Sequence, residues 1–159
     1  MRRVLILGNS GSGKSTLAAQ LGAELGVPVL DLDSLVWEPG RIAVARPAAD
    51  VQRDLRDFCA RHASWIVEGC YGDLAAVVLD GRTELIFLHP GEAVCLARCR
   101  ARPWEPHKYA SKEEQDARLD FLLAWVSDYY HREGPLSLRG HRSLFDAYSG
   151  PKRELNASG

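Results

Sequence analysis

Gly8-Asn9-Ser10-Gly11-Ser12-Gly13-Lys14-Ser15, followed by Thr16, is the stretch that decides the fold. It has the form G-x-x-x-x-G-K-S, the phosphate-binding P-loop pattern. Its glycines let the backbone curl tightly enough to turn successive N–H groups toward phosphate oxygens, where side chains would obstruct the anion. Lys14 is then placed to reach the outer phosphates, and Ser15 to ligate Mg²⁺. The pattern has meaning only between a strand and a helix, and both flank it. Val4-Leu5-Ile6-Leu7 is a continuous aliphatic run suited to a strand buried on both faces. From Ser15 onward Leu17, Leu21 and Leu25 recur at helical spacing until Gly26 and Val27-Pro28 end the helix. That helix aims its positive N-terminal end at the same anion. ATP is therefore expected on residues 8–16.

Working outward, Val29-Leu30 leads into a second strand ending at Asp31, and a loop holding Trp37, Pro39, Gly40 and Pro47 follows. Val51, Leu55 and Phe58 mark a helix over 48–62, and Pro47 fits its start. Trp65-Ile66-Val67 predicts a third strand closed by Glu68-Gly69, with a short helix over 73–79 after it. Leu85-Ile86-Phe87-Leu88 predicts a fourth strand, interrupted by His89-Pro90-Gly91. A helix over 92–102 stops at Pro103. Ser111-Lys112-Glu113-Glu114 is a capping box opening a long helix whose stripe is Leu119, Leu122, Leu123, Val126 and Tyr130. Leu138, Leu144 and Phe145 mark a helix over 137–148, and 152–155 is read as a last strand. Strands alternating with helices predict a three-layer α/β/α fold on a parallel five-stranded sheet, as one domain spanning 1–159.

Composition narrows the partners. A formal charge of −1 gives no net positive field, which weighs against a dedicated nucleic-acid binder. No apolar run reaches bilayer length, so no membrane partner is expected. Cys59, Cys70, Cys95 and Cys99 lack paired zinc spacings, and Cys95 and Cys99 read as buried thiols; reduced thiols in the cytoplasm are the expectation. Asn156-Ala157-Ser158-Gly159 reads as a loose tail.

The P-loop, the strand end Asp31-Leu32-Asp33 with Trp37 after it, the segment Trp65-Ile66-Val67-Glu68-Gly69-Cys70-Tyr71, and the cluster Arg98, Arg100, Arg102 together resemble adenylate-kinase-like P-loop proteins. Among these the sequence is similar to the bacterial relatives labelled DNA topology modulation proteins. The resemblance runs from the start of the chain to about residue 130. It implies a lid closing over the phosphates, here short and lying at about 103–111. Relatives end with an adenine-contacting loop and a closing helix, whereas this chain runs only a few residues past Leu155; Gly150-Pro151-Lys152 is the candidate base contact.

Ligands of open parallel sheets collect at the carboxyl ends of strands, so Asp31, Asp33 and Glu68 should approach the P-loop mouth. In similar small-metabolite kinases the second acid of the D-x-D strand end faces the acceptor. Asp33 is thus the candidate base and Glu68 the candidate Mg²⁺ partner, and the two roles are interchangeable on sequence alone. A strand-end aspartate such as Asp31 also serves as a turn former.

Transferred phosphoryl groups carry charge that arginines stabilise through forked hydrogen bonds. Arg102, beside the lid, and then Arg98 by helical phase are the candidates, with Arg100 facing solvent; Lys108 and Arg118 are further ones. Arg41, Arg46 and Arg53 lie where the similar kinases bind the acceptor and hint that it is anionic, although a solvated loop explains them equally. Trp37 and Tyr71 have faces on which a flat acceptor can stack, His107 lies in the lid, and His89 reads as a turn residue.

Three functions remain open: an ATP- and Mg²⁺-dependent kinase for a nucleotide or small hydroxylated metabolite, a P-loop ATPase or regulatory module acting on a macromolecule, and a nucleotide-binding protein without chemistry. Among kinases, Asp31-Leu32-Asp33 leans toward a hydroxyl acceptor.

Overall fold

In the computed structural model, which describes residues 1–39, 41, 44–106 and 108–156, the apolar runs become the central strands of one sheet. The strands are β1 (Arg3–Gly8), β2 (Val29–Asp31), β3 (Trp65–Gly69), β4 (Glu84–Leu88) and β5 (Lys152–Leu155). Every pairing is parallel, in the order β2-β3-β1-β4-β5. Successive residues of a strand point to opposite faces, so a strand that is apolar throughout needs a cover on both sides. On one face Leu5, Leu7, Trp65, Val67 and Leu85 pack with residues of α3 (Ala48–Arg61) and α4 (Gly72–Val78). On the other, Val4, Ile6, Ile66, Ile86 and Leu88 meet Ala18, Leu17 and Leu21 of α1 (Lys14–Leu25). The expected three-layer parallel architecture is present. Among the described residues no helix is long and apolar enough to cross a membrane.

The strand order also places the site. From β1 the chain runs out to β2 at one edge, returns to β3 beside β1, and then crosses to β4 on the other side. The carboxyl end of β1 is therefore where the direction of winding switches, the crevice in which open α/β sheets bind ligands. Ile6 stands in register with Glu68, and Gly8 with Leu88, so the P-loop leaves the sheet between β3 and β4.

Two expectations shift. Ser111 caps the helix as expected, its Oγ accepting the Glu114 N–H at 3.1 Å. The helix it opens, however, stops at Ala117 as α6 (Lys112–Ala117). Arg118 (φ −97°, ψ −1°) separates it from α7 (Leu119–Asp128). The cause is docking: α7 lies on α5 (Glu92–Ala101), where Val126 is buried and Leu122 and Leu123 pack on Cys95 and Cys99. Because α7 ends at Asp128, the phenol that turns inward is Tyr129, 1% exposed, and not Tyr130. The second shift concerns α8 (Leu138–Ala147), which joins α4 on its face of the sheet. Its fully buried residue is His141, with Leu144 and Phe145 only partly covered.

Candidate active site

The P-loop is built by close packing as much as by freedom of its glycines. Gly11 (φ +77°) and Gly13 (φ +96°) lie in the left-handed region. A Cβ on Gly11 would stand 2.4 Å from the Cys95 carbonyl oxygen and 2.9 Å from Cys99 Sγ, so the loop rests directly on α5. Asn9 Oδ1 accepts the Ser10 N–H at 2.8 Å while its Nδ2 donates to the Val126 carbonyl at 3.1 Å, pinning the loop to α7. Arg98 Nη1 donates to the Ser12 carbonyl at 2.7 Å. Gly13 gives α1 no side-chain cap, which leaves its first-turn N–H groups at the mouth of the loop. Lys14 Nζ donates to the Asn9 carbonyl at 2.8 Å, across the loop. The buried Ser12 hydroxyl has no hydrogen-bond partner among the described residues. Uncapped N–H groups, an ammonium and an orphaned hydroxyl form a donor set suited to an anion.

Two carboxyl groups flank this cradle in different states. Glu68 is 2% exposed and accepts a hydrogen bond from Ser15 Oγ at 3.2 Å. Burial pushes its proton affinity up to about 7; the Lys14 ammonium opposes this, while Asp31, its register neighbour on β2, adds to it. Asp31 acts as a turn former as well: its Oδ1 accepts the Asp33 N–H at 2.9 Å and its carbonyl accepts from Ser34 Oγ at 2.6 Å. Asp33 opens the short helix α2 (Asp33–Val36) and is half-buried. The Tyr71 hydroxyl donates to it at 2.5 Å, and Lys108 Nζ lies 3.8 Å from its other oxygen. Burial and the nearby Asp33 hold the Tyr71 phenol firmly protonated.

Lys108 ties Asp33 to the segment over 103–111, where the lid is expected. Its ammonium also pairs with Glu105 at 3.3 Å, and Glu105 reaches Arg102 at 3.9 Å. Burial works against the charge on Lys108, but Asp33 and Glu105 outweigh it and the proton is held more tightly than usual. Gln115 of α6 accepts the Glu105 N–H at 2.8 Å and donates to the Pro103 carbonyl at 3.0 Å, so the lid is stitched to the helix that follows it.

The structure thus brings Lys14, Ser15, Glu68, Arg98, Asp33 and Lys108 to one end of the sheet. Other expected residues go elsewhere. Arg102 is engaged with Glu105, Arg100 is exposed as expected, and Arg118 is exposed at the α6–α7 break. Arg46 is structural: it donates to the Leu35 carbonyl at 3.0 Å and to Asp54 at 2.7 Å, while Arg53 pairs with Asp50 and Asp54. Among the described residues, Arg41 of that trio forms no ion pair. Gly150-Pro151-Lys152 precedes and begins β5, at the end of the sheet opposite the P-loop, so it is not a base contact. His107 and residues 157–159 of the expected tail lie outside the described residues. His89 stacks on Phe87, its proton affinity lowered by burial and by Arg142. Cys95 and Cys99 are buried free thiols, as expected.

Sequence reasoning missed the Tyr71–Asp33 bond, Glu105 and Gln115 as lid organisers, and His141. The last had a signal: it lies three residues from Leu138 and from Leu144, a polar residue on an apolar helix face.

A family model described as an AAA domain matches residues 4–119, and the chain belongs to that family. Among curated proteins, the tRNA dimethylallyltransferase of Helicobacter pylori is 35% identical over 60 residues. That match covers 37% of this chain and only 19% of the relative's length. Among solved structures, a sugar kinase from Janibacter sp. HTCC2649 is similar over 98% of this chain and 84% of its own, with a TM-score of 0.54 and 18% identity. Shikimate kinase from Bacteroides thetaiotaomicron is similar over 77% of this chain and 76% of its own, with a TM-score of 0.51 and 22% identity. The shared property is the P-loop kinase fold.

Proposed function

We propose that this protein is an ATP-dependent kinase that phosphorylates a hydroxyl group of a small molecule. The observation that carries the proposal is Asp33: a carboxylate at the mouth of the crevice, oriented by the Tyr71 phenol and facing the lid through Lys108. A phosphate cradle alone would fit any triphosphate-binding protein; a separate, oriented acid supplies the other half of a transfer site. The sugar kinase and shikimate kinase of the same fold support a small hydroxylated acceptor.

In this reading the backbone of residues 8–16 and Lys14 hold the β- and γ-phosphates, and Arg98 stabilises their charge from α5. Ser15 and Glu68 are the oxygen ligands for Mg²⁺, an ion that retains waters and takes few protein ligands; when bound it neutralises charge on the phosphate oxygens. Asp33 accepts the acceptor's proton, and the Tyr71 hydroxyl keeps it aimed. Arg102 and Lys108, each paired with Glu105, are the lid cations, and Arg41 is the further cation proposed for an anionic acceptor. The whole chain acts as one nucleotide-binding domain, and its free cysteines fit a reducing, cytoplasmic setting.

The test is transfer from labelled ATP with Mg²⁺ across a panel of sugars, polyols, hydroxy acids, nucleosides and nucleoside monophosphates. Acceptor-dependent labelling is expected; slow hydrolysis alone across the whole panel sinks the proposal. A second reading, action on a nucleic acid, draws on the local likeness to tRNA dimethylallyltransferase and on the resemblance to the DNA topology modulation proteins. Salt-sensitive tRNA or DNA binding at physiological ionic strength would favour it.

A further inference from the structure

His141 is fully buried, yet it belongs to none of the groups that face the crevice. Its Nε2 lies 2.7 Å from the Cys70 carbonyl oxygen and its Nδ1 lies 2.8 Å from the Tyr129 hydroxyl. A carbonyl only accepts, so Nε2 carries the hydrogen; Nδ1 is then a lone pair that accepts the Tyr129 O–H. Both ring nitrogens are satisfied in one tautomer, inside a wall made by the edge of Phe87 and the ring of Tyr129, which is 1% exposed. The charged and titratable groups that act on the ring are Lys14 from α1, Arg132 beyond α7, Tyr129, and the backbone carbonyls of Cys70 and Pro135. Both cations disfavour protonation. A buried polar group satisfied this completely fixes one geometry, because any rotation strands a donor or an acceptor away from water.

What it fixes is the carbonyl of residue 70. That peptide lies between Glu68, whose carboxyl receives the Ser15 hydroxyl, and Tyr71, whose phenol aims Asp33. The segment has no slack on either side. A Cβ on Gly69 would come within 2.9 Å of Leu32, and Gly72 N–H donates to the Pro135 carbonyl at 3.0 Å, with room for a Cβ blocked by that same oxygen at 2.7 Å. The loop that carries Tyr71 is thus held from the α8 side at residues 70 and 72, once by backbone and once by the imidazole.

We propose that His141 is a positioning residue: by holding the Cys70 carbonyl it sets the Tyr71 phenol against Asp33. This rests on the kinase reading for its kinetic consequence but not for its structural one. The experiment compares His141→Leu, His141→Gln and Tyr129→Phe in the full chain. Gln offers a donor and an acceptor at a spacing close to that of the imidazole nitrogens; Leu offers neither. Three quantities are read: MgATP affinity by calorimetry, the NMR signal of the Tyr71 ring carbon bearing the hydroxyl, and the rate of acceptor phosphorylation.

For His141→Leu the Tyr71 signal is expected to move to the position it takes in Asp33→Ala, where no side-chain acceptor remains for the phenol. MgATP affinity should stay within about twofold while the transfer rate falls about tenfold or more, the scale set by small misplacements of a reacting group. His141→Gln should restore most of both signal and rate. Should His141→Leu fail to fold, Tyr129→Phe removes only the hydroxyl and should shift the same Tyr71 signal part of the way. An unmoved Tyr71 signal in either folded variant overturns the proposal, and so does a loss of MgATP affinity parallel to the loss of rate, which would mark a merely structural residue. If wild type phosphorylates no acceptor but the Tyr71 signal still follows His141, the kinase reading fails and the positioning role stands.

Discussion

The two halves of the crevice are made of different material. The phosphate half is backbone: a loop between β1 and α1 whose conformation follows from its glycines and whose donors are peptide N–H groups. The proposed acceptor half is side chains from three separate stretches: Asp33 after β2, Tyr71 after β3, and Glu105 with Lys108 in the segment over 103–111. A backbone site is specified locally and keeps its shape when one side chain changes. A side-chain site depends on every element that delivers a member, and it is where one fold takes on different substrates.

Substitutions separate the halves. The largest effect is expected for Lys14→Ala, which removes the ammonium that lies across the loop: phosphoryl transfer should fall about a thousandfold, with MgATP affinity weakened in calorimetry. Unchanged affinity and rate in that variant would dismiss residues 8–16 as the triphosphate site. Next comes Asp33→Asn, confined to the other half. Transfer should fall about a hundredfold while MgATP affinity holds, and a joint loss of both would show that the halves are not separable.

Glu68 sits on the border, and its effect appears in stability. Folding raises its proton affinity from the ordinary 4.5 to about 7, so the folded state binds that proton more tightly and stability declines as pH climbs through this range. His141 runs the other way: lowered from 6.5 to about 4 by burial, it contributes stability above 6.5 that is lost as pH falls toward 4. The two slopes oppose each other between about pH 5 and 6.5. Glu68→Gln should therefore be more stable than wild type at pH 8, by about 3 kcal/mol in urea denaturation, and should lack the Glu68 contribution to the acid slope that His141, Asp54, Asp80 and Glu154 also shape. It should also need more Mg²⁺ for activity. Equal stability of the two proteins at pH 8 would mean that Glu68 is not a buried acid.

The smallest effect is reserved for Arg46→Ala. It should lower thermal stability modestly by releasing Leu35 and Asp54, without changing the Michaelis constant for the acceptor. A raised constant with unchanged stability would return Arg46 to the acceptor site.

The same contrast explains what could be read from the sequence. The P-loop, the buried strands and the acids at two strand ends were legible because each depends on neighbours in the chain, in a conformation its own residues prefer. Arg46 was not, since its partner Asp54 lies across a loop and into a helix, and only the fold shows that the charge is already balanced. The helix break at Arg118 was hidden because the stripe from Leu119 to Val126 continues the phase of the capping box, whereas the docking of α7 on α5 decides where the axis turns. His141 was obscured by its type: a histidine on an apolar face declares neither its partners nor its tautomer. Lys108 and Asp33, 75 residues apart, meet only once the lid is folded.

The contact between Gly11 and α5 ties the two materials together. The helix touches the loop at Cys95 and Cys99, holds its Ser12 carbonyl through Arg98, and runs one turn further into the lid at Arg102. It spans from the P-loop to the start of the segment over 103–111. A methyl group added at Gly11 would stand 2.4 Å from the Cys95 carbonyl oxygen on a left-handed backbone, so loop and helix must shift relative to one another. A change at one glycine of the loop is thus felt first in the helix that carries Arg98 and ends at Arg102.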